Sequence, residues 1–279
     1  MADLRAVLEE CVARALDEDV GAGDLTTAAV VPVGAPAVAW IEQRQAGVIA
    51  GLDAVEEVFR QLDEAVELQP LAEEGAWRDP GQIARIEGPA ASILTGERTA
   101  LNLLGHLSGI ATMTARYVGA IDGTGARVLD TRKTTPGLRE LEKHAIRVGG
   151  GSSHRAGLYD AILVKENHSA LAGGVGEAAR LAVARRMDAD FVEVEVETLD
   201  ELDAVLDTGV DRVLLDNMSL EEVRAAVERA RGKGVVLEAS GGIDLDTVRA
   251  VAQTGVALIS VGALTHSAPA LDVALLLGL

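Results

Sequence analysis

The sequence predicts an α/β protein, an irregular or incomplete α/β barrel with a smaller N-terminal α+β domain. Two observations carry that reading. From residue 127 onward, short β-branched runs alternate with amphipathic stretches at intervals of roughly twenty residues, the rhythm of βα units on a parallel sheet. The core must be built of Leu, Val, Ile and Ala, because 279 residues hold only two each of Trp, Tyr and Phe. That composition suits helices layered on strands that are buried on both faces.

Taken in order, residues 4–16 place apolar groups at helical spacing and stop at the acidic DEDVGAGDLTT, residues 17–27. Val38–Ile41 and Ile83–Arg85 read as strands flanking a helix over Asp53–Leu62, with Asp53 as its own cap. A long helical pattern runs from Ala91 to Ala120. Leu103, Leu107, Ile110 and Thr114 form one stripe, and Arg98, Asn102, Gly105, Gly109 and Thr112 a second, smaller one. Each glycine inside a helix costs about 1 kcal/mol relative to alanine, so the second stripe needs a reason. Close approach by a neighbouring helix, a subunit boundary or a ligand would each supply one.

The later strands are expected at Arg127–Asp130, Ala161–Lys165, Phe191–Val196, Arg212–Leu215, Val235–Ala239 and Leu258–Val261. Helices are expected between them at Gly176–Arg186, Leu199–Leu206, Leu220–Arg231 and Leu245–Gln253. Nothing divides these units into two nucleotide-binding halves, so a barrel is the better architecture, short of the usual eight strands. The expected domains are residues 1–109 and 110–266, with the tail at about 267–279 packing on the first.

Composition excludes several classes. A net charge of −19 and a pI of 4.6 argue against a duplex nucleic-acid binder, and scarce aromatics against a base-stacking surface. The single Cys11 fits a reducing compartment. The most apolar stretch, Ala28–Ile41, contains Pro32, Gly34 and Pro36 and is too short to span a bilayer. No basic start followed by an apolar block opens the chain, so a soluble cytoplasmic protein is expected.

Against that acidity, three of the four lysines, Lys133, Lys143 and Lys165, fall close together, joined by Arg132, Arg139, Arg147 and Arg155. Cations so concentrated repel one another unless anions are brought to them, so residues 130–168 read as a built anion site. Barrel enzymes act at the C-terminal ends of their strands. Here those ends read Asp130-Thr-Arg-Lys, Lys165-Glu-Asn-His, Glu195, Asp216-Asn, Ser240-Gly-Gly and Gly262-Ala.

The guanidiniums of Arg132 and Arg155 suit carboxylates, while Lys133 and Lys165 are point charges for phosphate or carboxylate. Gly149-Gly150-Gly151-Ser-Ser before His154 reads as a loop able to wrap an anion. Ser240, Gly241, Gly242 and Gly262, each soon followed by a helix, offer exposed amides for a phosphate, or simply tight turns. Glu193, Glu195 and Glu197 share one side of a strand and need cations or a metal if buried. Glu195 and Asp216 could together hold a divalent ion carried by a phosphorylated substrate. His144 and Arg147 more simply stabilise the end of the helix after Pro136. Five scattered histidines and one cysteine suggest no protein-only metal cluster. There is no P-loop, and Gly21-Ala-Gly23 lacks the third glycine of a dinucleotide loop.

DTRKTTPGLRELEKHAIRVGGGSSHRAGLYDAILVKENH, EVEVE, LLDN, EASGGI and VGALTHS, in this order, resemble the quinolinate phosphoribosyltransferase family. GAGDLTT and GERTALNLLGHLSGIAT fit as well, so the resemblance covers nearly the whole chain. It implies transfer of phosphoribosyl from phosphoribosyl pyrophosphate to quinolinate with decarboxylation, giving nicotinate mononucleotide, pyrophosphate and carbon dioxide. It further implies Mg²⁺ brought with phosphoribosyl pyrophosphate, no covalent cofactor, and homodimers with shared active sites or hexamers.

By motif, Arg132, His154, Arg155 and Lys165 would hold the quinolinate carboxylates, with Arg98 reaching in from a neighbouring subunit. Lys133 would meet pyrophosphate or quinolinate, and Glu195 and Asp216 the ribose and magnesium. Ser240, Gly241, Gly242 and Gly262 would take the 5′-phosphate. Three other readings stay open: a related phosphoribosyltransferase acting on another acid, a Schiff-base aldolase using Lys165, and a carboxylate- or phosphate-sensing module without turnover.

Overall fold

A computed structural model describes residues 4–278. Its backbone packing groups into two compact units. One takes in the chain up to Ala115 together with Thr134–Gly150 and the segment from Ser267 onward; the other comprises Arg116–Lys133 and Gly151–His266. The segment 134–150, assigned by sequence to the barrel, thus packs with the first unit. Leu279, in the tail marked off by sequence, lies outside the described residues.

The first unit opens with helices α1 (Leu4–Asp19) and α2 (Leu25–Val30), then β1 (Pro36–Gln43), β2 (Gly47–Val48), α3 (Leu52–Leu62), β3 (Glu67–Pro70), β4 (Trp77–Arg78), β5 (Gly81–Pro89) and the long α4 (Ala90–Ala120). Asp24 caps α2, its carboxylate accepting from the Thr27 amide at 3.0 Å. Asp53 does not cap α3. The cap position is Gly51, at φ 103°, and the carboxylate that takes the orphan amides of Gly51 and Leu52, each at 2.7 Å, belongs to Glu74. A remote acid has done what the local one was expected to do.

The same unit receives two later elements: α5 (Arg139–Val148), after β6 (Arg127–Leu129) of the second unit, and β12 (Val273–Gly278). Its sheet runs β12-β1-β5-β3, with β1 paired antiparallel to β12 and β5. The glycine stripe of α4 finds its reason here, and it is not another helix. A Cβ on Gly109 would lie 2.1 Å from the Pro269 carbonyl oxygen, and one on Gly105 would lie 3.0 Å from that of Leu271. The segment leading into β12 lies directly on α4, with the Leu271 amide donating to Gly105 O at 2.8 Å.

The second unit carries β6, β7 (Ile162–Val164), α6 (Glu166–Ala172), α7 (Val175–Ala184), β8 (Val192–Val196), α8 (Leu199–Val205), β9 (Arg212–Asp216), α9 (Leu220–Ala230), β10 (Val236–Ser240), α10 (Val248–Ala252), β11 (Leu258–Ser260) and α11 (Ala263–His266). Its six strands are parallel in the order β6-β11-β10-β9-β8-β7. Beyond β6 the sheet is extended by a single parallel bridge, Leu129 to Ser152. This is the expected α/β barrel, six strands long.

Helix α10 starts three residues later than the periodicity of 245–253 suggests. Asp244 folds the approach into a turn, accepting from the Thr247 amide and hydroxyl at 2.9 and 2.8 Å; such local side-chain bonds compete with helix.

Strand parity decides what each face holds. Val192, Val194, Val196, Val213, Leu215 and Ile259 are fully buried or nearly so, on the face that packs on helices through Ala179, Leu202, Val205, Ala226 and Val248. Burying such a side chain stabilises by about 1.5–3 kcal/mol. The other face is charged. The ladder sets Leu163 beside Glu193, Glu193 beside Arg212, Glu195 beside Leu214, Leu214 beside Glu238, and Asp216 beside Ser240. In-register neighbours project to one side, so these polar groups share the barrel interior. No described helix is long and apolar enough to cross a membrane.

Candidate active site

A cavity of about 830 Å³ opens among the C-terminal strand ends of the second unit. Arg132 and Lys133 reach it from the loop after β6, His154 and Arg155 from the segment before β7, and Lys165 from the end of β7. Glu195 and Asp216 line it from the ends of β8 and β9. Ser240, Gly241 and Gly242 follow β10, and Gly262 follows β11. Every site residue expected on the barrel therefore lines one space. Arg98 does not; it is exposed on α4.

The loop positions are fixed by hydrogen bonds that involve the main chain. Asp130 is completely buried and its Oδ1 accepts from the His154 amide at 2.8 Å, tying the end of β6 to the segment before β7. Lys133 is held through its main chain: its amide donates to Thr131 Oγ1 at 3.0 Å, and its carbonyl accepts from Thr265 Oγ1 at 2.7 Å. Arg155 is 9% exposed and donates through Nη1 to Ala161 O at 3.2 Å. Burial and the neighbouring Arg132 charge pull its pKa below the ordinary arginine value. Two guanidiniums at such a mutual cost are a site waiting for anions. Lys165 Nζ is ion-paired with Glu195 Oε2.

Asn217 adopts φ 53° directly after Asp216, its amide donating to Ser240 O at 2.9 Å and its Nδ2 to Asp216 Oδ2 at 2.8 Å. The Asn217 side chain occupies the space a Cβ at residue 241 would need: Asn217 Oδ1 lies 2.2 Å from it, and Gly241 itself sits at φ 99°. Glycine is thus required at 241 on two counts. The expected helix after this loop begins only at Val248, so loop residues, and not a helix end, line the cavity. Only the short α11 directly follows Gly262.

Several expectations are corrected. Glycine at 149 serves packing and not loop mobility: residue 149 closes α5, and a Cβ there would lie 2.4 Å from Ala111 O. Glu197 lies beyond the end of β8 and is exposed, whereas Glu193 and Glu195 are buried. A carboxylate–histidine cluster does exist. The side chains of His154, Glu193 and Glu238 offer ligand-type atoms all within 4.8 Å of one another. Sequence reading missed it because Glu238 lies alone in an apolar strand. Its position two residues before Ser240 is the signal that places it on the interior face. Asn217, Ser260 and His266 also line the cavity without having been singled out.

Comparison with known proteins agrees with this picture. The family models for the N-terminal and C-terminal domains of quinolinate phosphoribosyl transferase match residues 24–108 and 110–276. A nicotinate-nucleotide pyrophosphorylase [carboxylating] from Mycobacterium leprae is 43% identical over 274 residues, covering 95% of each chain. A mitochondrial quinolinate phosphoribosyltransferase [decarboxylating] from Nicotiana tabacum is 37% identical, covering 96% of this chain and 81% of its own. The solved nicotinate-nucleotide pyrophosphorylase from Francisella tularensis superposes with a TM-score of 0.93 at 40% identity, covering 98% of this chain and 96% of its own.

Proposed function

Since the chain belongs to the quinolinate phosphoribosyl transferase family, we propose that it transfers phosphoribosyl from phosphoribosyl pyrophosphate to the ring nitrogen of quinolinate. The adjacent carboxylate is then lost, giving nicotinate mononucleotide, pyrophosphate and carbon dioxide. The observation that carries this reading is the convergence of Arg132, Lys133, Arg155 and Lys165 on one cavity in a chain of net charge −19. A dicarboxylate and a polyphosphate together supply the negative charge that such a pocket calls for.

Arg132 and Arg155 would take the quinolinate carboxylates in bidentate fashion, with Lys165 and the His154 segment completing that end. Lys133 would neutralise the departing pyrophosphate. The 5′-phosphate would lie against Ser240, Gly241, Gly242 and Gly262, whose glycines let a phosphate approach the main chain. As pyrophosphate leaves, the sugar gains positive charge, and Glu195 on the cavity wall stabilises it electrostatically. Alkylation makes the ring nitrogen cationic, and it accepts the electron pair left behind by carbon dioxide. The protein's part is to orient and neutralise.

Glu195 and Asp216 are hard oxygen donors on neighbouring strands, and they fit a magnesium ion that arrives with the polyphosphate. Such an ion would supply charge neutralisation at the leaving group. Glu195 is matched by Lys165. That ion pair also speaks against a Schiff-base role for Lys165, which calls for a neutral, desolvated amine. Homodimers in which Arg98 enters a neighbour's site, and cytoplasmic residence, belong to the same proposal; the single, buried Cys11 supports the latter.

Incubation with quinolinate, phosphoribosyl pyrophosphate and Mg²⁺ should yield nicotinate mononucleotide and carbon dioxide in equal amounts, and excess chelator should stop it. Turnover of nicotinate in place of quinolinate, or binding without product, would refute the assignment.

A further inference from the structure

Beneath the cationic wall, the interior of the second unit holds two carboxyls that the proposed chemistry leaves idle. Glu193 and Glu238 are both 0% exposed, on β8 and β10 with β9 between them. Glu193 Oε2 lies 2.8 Å from His154 Nε2, and Glu238 Oε2 lies 3.5 Å from the same nitrogen. Ser260 Oγ donates to the remaining oxygen of Glu238. Glu193 Oε1 and Glu238 Oε2 find no hydrogen-bond donor around them.

Such a cluster could be filled by a metal ion or by protons, and the histidine decides between them. The main-chain N–H of Arg155 donates to His154 Nδ1 at 2.7 Å. Nδ1 is therefore an acceptor, and the single proton of a neutral imidazole sits on Nε2, aimed at Glu193. A metal on Nε2 would force that proton onto Nδ1, where it would meet the Arg155 N–H head-on. A second proton placed on Nδ1 would meet the same N–H.

With the ring donating to Glu193, the two orphan oxygens are satisfied by one proton held between the carboxyls. The two carboxyls share that proton, with Arg212 set beside Glu193 by the strand register. Burial pushes the Glu238 carboxyl up, as a shared proton requires. Phe191 closes the far side of the ring, edge to face with His154 at 5.5 Å and beneath the Arg212 guanidinium at 3.8 Å.

We propose that Glu193 and Glu238 are positioning residues that lock His154 as its Nε2–H tautomer, so that His154 in turn fixes the Arg155 main chain and aims its guanidinium at the carboxylate of the acid substrate. This rests on the transferase reading for the substrate, though not for the tautomer. His154 then acts as a strut, and Arg155 carries the charge. The device would be felt at the acid-binding end of the cavity and not at the phosphate end.

The test has two arms. Histidine ¹⁵N NMR on the ligand-free protein needs no activity: His154 should show a protonated Nε2 and an unprotonated Nδ1 in the wild type and in Glu193→Gln, whose amide oxygen still accepts. The lock should be lost in Glu193→Met, which keeps the length and removes the acceptor. Steady-state kinetics should show KM for quinolinate raised about tenfold or more in Glu193→Met, as for a misaimed binding group. KM for phosphoribosyl pyrophosphate should stay unchanged, and Glu193→Gln should restore most of the loss.

A wild-type His154 protonated at Nδ1, or Mn²⁺ bound stoichiometrically at this histidine in the ligand-free protein, would overturn the proposal. So would equal rises in both KM values. An inactive wild type with the expected tautomer would overturn the transferase reading alone. Should Glu193→Met not fold, Glu238→Met should likewise raise KM for quinolinate alone, and an unchanged value there would overturn the proposal.

Discussion

Arg155 concentrates the residue-scale physics of this protein. It is nearly buried, faces a second guanidinium, and is held by one main-chain acceptor and a histidine strut. Removing it relieves a like-charge contact, so stability should change little while the acid loses its partner. We expect Arg155→Ala and Arg132→Ala each to raise KM for quinolinate about a hundredfold, the scale of losing one buried partner of a charged pair. Their thermal unfolding should stay close to wild type; unchanged quinolinate kinetics in both would remove these residues from the site. The cations could be read from sequence because they cluster at strand ends within a short segment. Glu238 could not, because a lone acid in an apolar strand shows its purpose only once β8, β10 and the segment before β7 are brought together. The tautomer of His154 was equally hidden, since it depends on a main-chain amide.

Among the elements, the six strands of the second unit and the starts of α1, α8 and α9 were legible, whereas β2, β3, β4, β12 and the start of α10 were not. β-Branched runs bury on both faces of the second unit, so their pattern owes little to distant partners. The starts of α3 and α10 depend on where polar side chains find amides: Glu74 takes those before α3, and Asp244 makes a turn ahead of α10. The glycines of α4 tell a similar story, since their reason is a segment far along the chain. Gly109→Ala should cost about 1–3 kcal/mol through overpacking against Pro269 O, despite alanine's better helix propensity. A thermal midpoint unchanged or raised in that variant would show that the segment yields. Gly119→Ala on the same helix meets nothing within 4 Å and is the control, expected to be neutral or stabilising.

For the whole molecule, the buried acid pair couples stability to pH. Burial and the Glu193 charge raise the Glu238 carboxyl to about 8, from an ordinary 4.5. The folded state therefore keeps a proton that the unfolded chain releases. That contribution is complete below pH 4.5 and is lost as pH rises towards 8. Burial also raises Glu193, to about 7, and each such proton adds a slope of at most about 1.4 kcal/mol per pH unit. Wild-type melting temperature should thus fall between pH 5 and 8, and Glu238→Gln should flatten the fall; parallel curves would contradict it. Assembly is tested at the same scale. If Arg98 serves a neighbouring subunit, mixing inactive Arg98→Ala with inactive Arg132→Ala should restore part of the activity through hybrids with one intact site, and silent mixtures would place Arg98 outside the chemistry.

The pairing of β1 with β12 also bears on how the chain is made. A strand near the start finds one of its two neighbours only in residues 273–278. On the ribosome, β1 must wait with a bare edge while almost everything else emerges, a state open to stray pairing with other chains. Early termination just before Val273 should therefore give a product prone to aggregate.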